Sequence, residues 1–80
     1  MLLIYLSMLD NQEDKNKFTL LYEKYRKIMF YIANQILNDE YSAEDALHDA
    51  FEIVIKNLHN ISEIDCPQTK NYLIIIVKQV

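Results

Sequence analysis

Apolar residues recur along this chain at the three- and four-residue spacing of helices, and they do so in three blocks. In the first, Phe18, Leu21, Tyr22, Tyr25, Met29, Ile32, Ala33 and Ile36 fall on one stripe, the pattern of a helix that buries a single side. Asp10 with Glu13 three residues later is the predicted capping box at its start, and Asn38 and Asp39 are its predicted end. In the second block Ser42 is the predicted cap, with Asp45 at the third helical position, facing the positive end of the helix dipole. At about 100° per residue, Ala43, Ala46, Leu47, Ala50, Phe51, Val54 and Leu58 share one side of this block. Glu44, Asp45, His48, Asp49, Glu52 and Lys56 share the other.

The stretch HNISEIDC at 59–66 interrupts the periodicity, and Pro67 suits the first position of a third helix capped by Cys66 or Asp65. The NYLIIIV that follows is apolar nearly all round and rich in β-branched residues, which taken alone also permits a buried strand. With no partner strand in the chain, helix is the reading. The predicted elements are therefore helices over about 11–37, 43–58 and 67–80, in one all-α domain spanning 1–80. The apolar opening MLLIYLSML, residues 1–9, reads as a segment packed against the bundle. It stops at Asp10, has no basic region before it, and falls short of the roughly 20 residues that cross a bilayer. The last helix carries neither a capping residue nor a closing glycine before Val80, as if cut through its middle, so a fragment is expected.

Composition narrows the picture further. No glycine and a single proline leave few positions for tight turns with positive φ, which disfavours hairpins and barrels. At 80 residues the chain buries only about 60% of the surface its unfolded form exposes, so its stability margin is thin. One cysteine, Cys66, excludes an internal disulfide and fits a reducing cytoplasm. A net charge of −4 argues against a broad footprint on duplex DNA, which needs clustered Lys and Arg, so a nucleic-acid role must be local.

The residues offer several chemistries. Asp45 and His48 stand at the three-residue spacing by which helical bundles present metal ligands, yet they lie opposite the apolar face, and no metal or other cofactor is expected. Cys66, His48 and His59 have no evident orienting partner, so no catalytic step is expected and the chain does not read as an enzyme. The acidic stripe is either a solvated helix face or a docking surface for a basic partner, whose approach it would speed. Tyr22, Tyr25, Phe30, Tyr31, Phe51 and Tyr72 are core candidates by spacing. Rings beside Lys70 and Lys78 can alternatively stack unpaired bases, and Tyr72 is the best placed of them.

Taken together, FTLLYEKYRKIMFYIANQIL, then SAEDALHDAFEIVIKNL, then an irregular loop and TKNYLIIIVKQV resemble region 2 of bacterial RNA polymerase sigma factors. Within the sigma-70 family they are most similar to the extracytoplasmic-function branch, over about residues 14 to 80. The resemblance implies a three-helix bundle whose last helix is truncated. It implies that the second helix docks on the beta prime clamp of core polymerase through Asp45, His48, Asp49 and Glu52. It implies that the loop from Asn60 through Ser62 to Cys66, with Lys70, Asn71, Tyr72, Lys78 and Gln79, recognises the minus-ten promoter element. There the family captures a flipped base of the single-stranded non-template strand as the duplex melts.

An anti-sigma factor is a further partner consistent with the family. His48 stands where the family usually has Gln, Tyr72 where it has Trp and Gln79 where it has Asn. The basic continuation of the last helix and the family's second DNA-binding domain are not in this sequence. A small helical interaction module, anti-sigma or adaptor-like and without DNA binding, would share the acidic stripe and is the alternative reading.

Overall fold

A computed structural model of the chain describes residues 2–79. Met1 and Val80 lie outside the described residues, and with them the ends of the predicted domain and of the third predicted helix. Four α-helices follow in order: α1 (Leu2–Leu6), α2 (Gln12–Leu37), α3 (Glu40–Lys56) and α4 (Pro67–Gln79), with a single 3-10 turn at Leu58–Asn60. Among the described residues there is no strand, and no helix is long and apolar enough to cross a membrane. The fold is all-α. The β-branched run of the third block is helical, as the lack of a pairing partner requires.

The helix starts differ from those predicted. Asn11, not Asp10, caps α2: its side-chain oxygen accepts from the backbone N–H of Asp14 at 2.8 Å, while its amide donates back to the Asp14 carboxylate at 3.2 Å. Asp39, not Ser42, caps α3. Its carboxylate accepts from both the backbone N–H and the hydroxyl of Ser42, at 3.1 and 2.7 Å. Asp45 therefore sits well inside the helix, and Glu40 supplies the charge that meets the dipole.

The reason for the shift is Asn38, which ends α2 in the left-handed region at φ 53° with its N–H on the Asn34 carbonyl. In a chain without glycine, asparagine is the residue that takes this conformation at lowest cost. It turns the chain so sharply that Asp39 is already extended and able to cap.

Helix α2 is the spine. It packs against both α3 and α4, which also touch each other, and α1 lies across α2 and α3. The core joins Phe18, Leu21, Tyr25 and Met29 of α2 to Ala43, Ala50, Phe51 and Val54 of α3 and Leu73, Ile76 and Val77 of α4. The three alanines of α3 let it approach α2 closely, while Phe51 fills the space behind them. One member of the predicted stripe is not core: Ile36 is 56% exposed. It lies in the last turn of α2, just before the turn at Asn38, and its side chain points away from the core that Ala33 still reaches.

The opening segment completes the core rather than decorating it. Tyr5 is 1% exposed and its ring lies 5.5 to 5.6 Å from those of Phe18 and Phe51. Tilted aromatic contacts at this range add to the area they bury.

Candidate functional site

Helix α3 presents its polar side in two rows. Glu44, Asp45 and Asp49 are exposed to solvent, with Asp45 and Asp49 one helical turn apart. Among the described residues Lys24–Asp65 is an ion pair and His48 Nε2 meets the Glu52 carboxylate, and neither contact involves Asp45 or Asp49, which have no cationic partner there. The sequence placed these acids outward, and they are outward.

His48 and Glu52 form the second row and are only partly exposed, because α1 lies along that edge. The Tyr5 hydroxyl is 2.9 Å from His48 Nδ1, and His48 Nε2 is 2.6 Å from the Glu52 carboxylate. Of the four residues the resemblance assigned to docking, Asp45 and Asp49 thus face solvent freely while His48 and Glu52 are engaged within the fold. Among the described residues no group of three or more His, Cys, Asp or Glu side chains converges as a metal site would.

Between α2 and α3, beside the acidic rows, lies a cleft of about 270 Å³. Tyr22, Phe30, Leu47 and Phe51 line its apolar part, and Arg26 and Glu44 its rim. Arg26 stands over the Tyr22 ring, 5.8 Å from its centre. Sequence reasoning passed over Arg26. Its signal was the four-residue spacing from Tyr22, which places the guanidinium over the ring on an otherwise apolar edge.

The second predicted face is built from the connection between α3 and α4. Leu58 and Ile61 bury their side chains and tether it to the core. Polar anchors hold the remainder: Lys17 Nζ donates to the Leu58 carbonyl at 3.0 Å, the Tyr25 hydroxyl to the Ile64 carbonyl, and the Thr69 hydroxyl to the Glu63 carbonyl. Lys24 pairs with Asp65. Cys66 precedes Pro67 at the start of α4, with its Sγ 3.2 Å from the Thr69 hydroxyl. The sequence marks Tyr25 and Leu58 as members of apolar stripes and Asp65 or Cys66 as a cap, but not the contacts they make here, because each joins residues distant along the chain or not apolar enough to register in the periodicity.

Above the anchored loop, Asn60, Ser62, Thr69 and Tyr72 line an open cleft of about 260 Å³. Three of the predicted nucleic-acid residues, Asn60, Ser62 and Tyr72, meet there. Lys70 and Asn71 do not: they line a separate trough against α2, with Lys24, Asp65 and Ile74. Lys78 and Gln79 are exposed in the last turn. At 100° per residue Gln79 returns to the flank of Tyr72, whereas Lys70 and Lys78 fall on the other flank of α4.

This arrangement, a helical bundle with an acidic face on its third helix and an anchored loop leading into its fourth, has a match among protein families. The family model described as Sigma-70 region 2 covers residues 21–80. No curated protein and no solved structure matched the chain. Helix α1 and the start of α2 precede the matched span. With three quarters of its length matched, the chain belongs to the sigma-70 region 2 family, whose domains bind RNA polymerase and recognise promoter DNA in transcription initiation.

Proposed function

We propose that this chain is the docking and promoter-opening domain of an alternative sigma factor of the extracytoplasmic-function branch, working in the cytoplasm. Asp45 and Asp49 contact basic residues of the beta prime clamp, with Glu52 and His48 at the edge of the same interface. The cleft of Asn60, Ser62 and Tyr72 receives a flipped base of the minus-ten non-template strand. Lys70, Asn71, Lys78 and Gln79 lie along the path of its backbone. In this reading the chain is not an enzyme and catalysis belongs to the polymerase. An anti-sigma factor would compete for the acidic face of α3.

The observation that carries the reading is the pair of exposed acids, Asp45 and Asp49, left without a cationic partner among the described residues on a helix whose opposite side buries Ala43, Ala46, Ala50, Phe51 and Val54. Desolvating such charges is favourable only against cations, which gives the face its preference for a basic groove. The net charge of −4 fits the same division of labour. A chain this acidic has little affinity for duplex DNA by itself, and docking on polymerase supplies the effective concentration that lets a small base-capturing cleft act. Unstacking a base costs a few kcal/mol, and stacking on a ring such as Tyr72 returns about 1 to 3 kcal/mol of that.

The test is a fluorescence-anisotropy titration of a labelled single-stranded minus-ten oligonucleotide with the chain, core polymerase, and the two together. The expected result is binding by the complex that exceeds the sum of its parts. Polymerase binding without any gain for the oligonucleotide would leave only an interaction module. Absence of polymerase binding would overturn the docking assignment.

A further inference from the structure

The helix that lies ahead of the family match reaches into the face through which the chain is proposed to dock. Tyr5 of α1 and Glu52 of α3 flank the His48 ring on opposite nitrogens, at 2.9 Å on Nδ1 and 2.6 Å on Nε2. The roles of these groups follow from their chemistry. An ionised carboxylate only accepts, so the hydrogen shared with Glu52 belongs to Nε2. A neutral imidazole with its hydrogen on Nε2 has a lone pair on Nδ1, so the Tyr5 hydroxyl is the donor there. Burial pushes the Tyr5 phenol up to about 12, so that donor hydrogen is retained at neutral pH. At 1% exposure Tyr5 has no water to turn to, and its ring is held by Phe18, Tyr22 and Phe51 around it.

We infer that Tyr5 is a positioning residue for polymerase docking: it fixes His48 in the Nε2-protonated tautomer and thereby holds the Glu52 carboxylate in place on the α3 face. The inference rests on the docking role proposed for that face. It gives α1 a function beyond filling the core. A flexible Glu52 would lose side-chain freedom on meeting a basic partner, whereas one already tied to His48 loses little. Tyr5 thus acts through His48, and touches no partner itself.

The experiment compares the parent chain with Tyr5→Phe, which keeps the buried ring and removes only the hydroxyl, and with Asp49→Arg as a reference for docking. Two readouts are taken: nitrogen-15 NMR of the His48 ring in mildly alkaline solution, and affinity for core polymerase. The parent is expected to show one tautomer with the hydrogen on Nε2. Tyr5→Phe is expected to keep the aromatic core, shown by unchanged methyl and ring shifts away from His48, to give mixed tautomers, and to bind polymerase roughly two- to tenfold more weakly.

A parent ring that is already a tautomer mixture, or a Tyr5→Phe chain that binds like the parent while Asp49→Arg binds poorly, would overturn the inference and leave the docking reading standing. If Asp49→Arg also binds like the parent, the docking reading itself fails and the inference falls with it. Should Tyr5→Phe lose its fold, Tyr5→Leu, which is apolar, smaller than the ring it replaces and carries no donor, makes the same decision with the tautomer measured on the folded chain.

Discussion

The hydroxyl of Tyr25, in the middle of α2, donates to the backbone carbonyl of Ile64, in the loop just ahead of α4. The two residues are 39 apart in sequence. The spine of the bundle thus reaches out and grips the segment that shapes the Tyr72 cleft, so the core and the proposed base-capturing face are mechanically one unit.

Tyr25→Phe keeps the buried ring and removes the grip. It is expected to lower global stability by about 1 kcal/mol, the net worth of one hydrogen bond. Amide hydrogen exchange should accelerate in residues 62–66 far more than in α3. Oligonucleotide binding by the polymerase complex should weaken, with docking on polymerase unaltered. Equal acceleration throughout the chain would show that the loop is not held by this bond.

Phe51 is fully buried against Tyr5, Phe18 and Tyr22. Its replacement by alanine opens a cavity where α1, α2 and α3 meet, at a cost of roughly 3 to 5 kcal/mol. Domains of this size hold only about 5 to 15 kcal/mol in total. Phe51→Ala is therefore expected to lose most of its cooperative thermal transition, and a melt close to the parent's would contradict this packing.

Asp49→Arg changes an exposed side chain, so the thermal transition should stay near the parent's. Affinity for core polymerase should fall by about 1 kcal/mol or more, since the new charge faces a basic surface. The parent's own affinity should decline with added salt, and the variant's should decline less. Isothermal titration at two salt concentrations reads both effects.

Hydrogen bonds from the Ser42 hydroxyl, and then from the Ser42 backbone N–H, hold the Asp39 carboxyl below the ordinary carboxylate range. A carboxyl whose folded pKa lies below its unfolded value contributes stability that is complete above the unfolded value. That contribution is lost as pH falls through the folded one. The parent should accordingly lose part of its stability as pH drops below about 4, the unfolded aspartate range. Asp39→Asn, which still caps, should lose less over the same window, and Asp39→Ala should melt lower than either at neutral pH. Thermal melts followed across that pH range would decide the matter, and a slope identical in parent and Asp39→Asn would refute the cap's contribution.

Much of this molecule was legible in the chain itself, and for a definite reason. The identity of α2 and α3, the burial of the Ala43, Ala46, Ala50, Phe51 and Val54 side, and the exposure of Asp45 and Asp49 follow from a periodicity of 3.6 residues, and the start of α4 from the fixed φ and missing N–H of Pro67, all of it local information. What the tertiary structure alone decided lies between segments. Asp39 displaced Ser42 as the cap because Asn38 turned the chain one residue after α2 ended. Ile36 was left exposed because the packing of neighbouring helices, not spacing alone, decides which part of a stripe is covered. Tyr5 and His48, 43 residues apart, meet through the crossing of α1 over α3. Tyr72 parted from Lys70 and Asn71 because α4 lies with one flank on the loop and the other on α2. Periodicity records which side of a helix is apolar; how helices cross, and therefore which polar groups find each other, emerges only when the apolar sides are packed together.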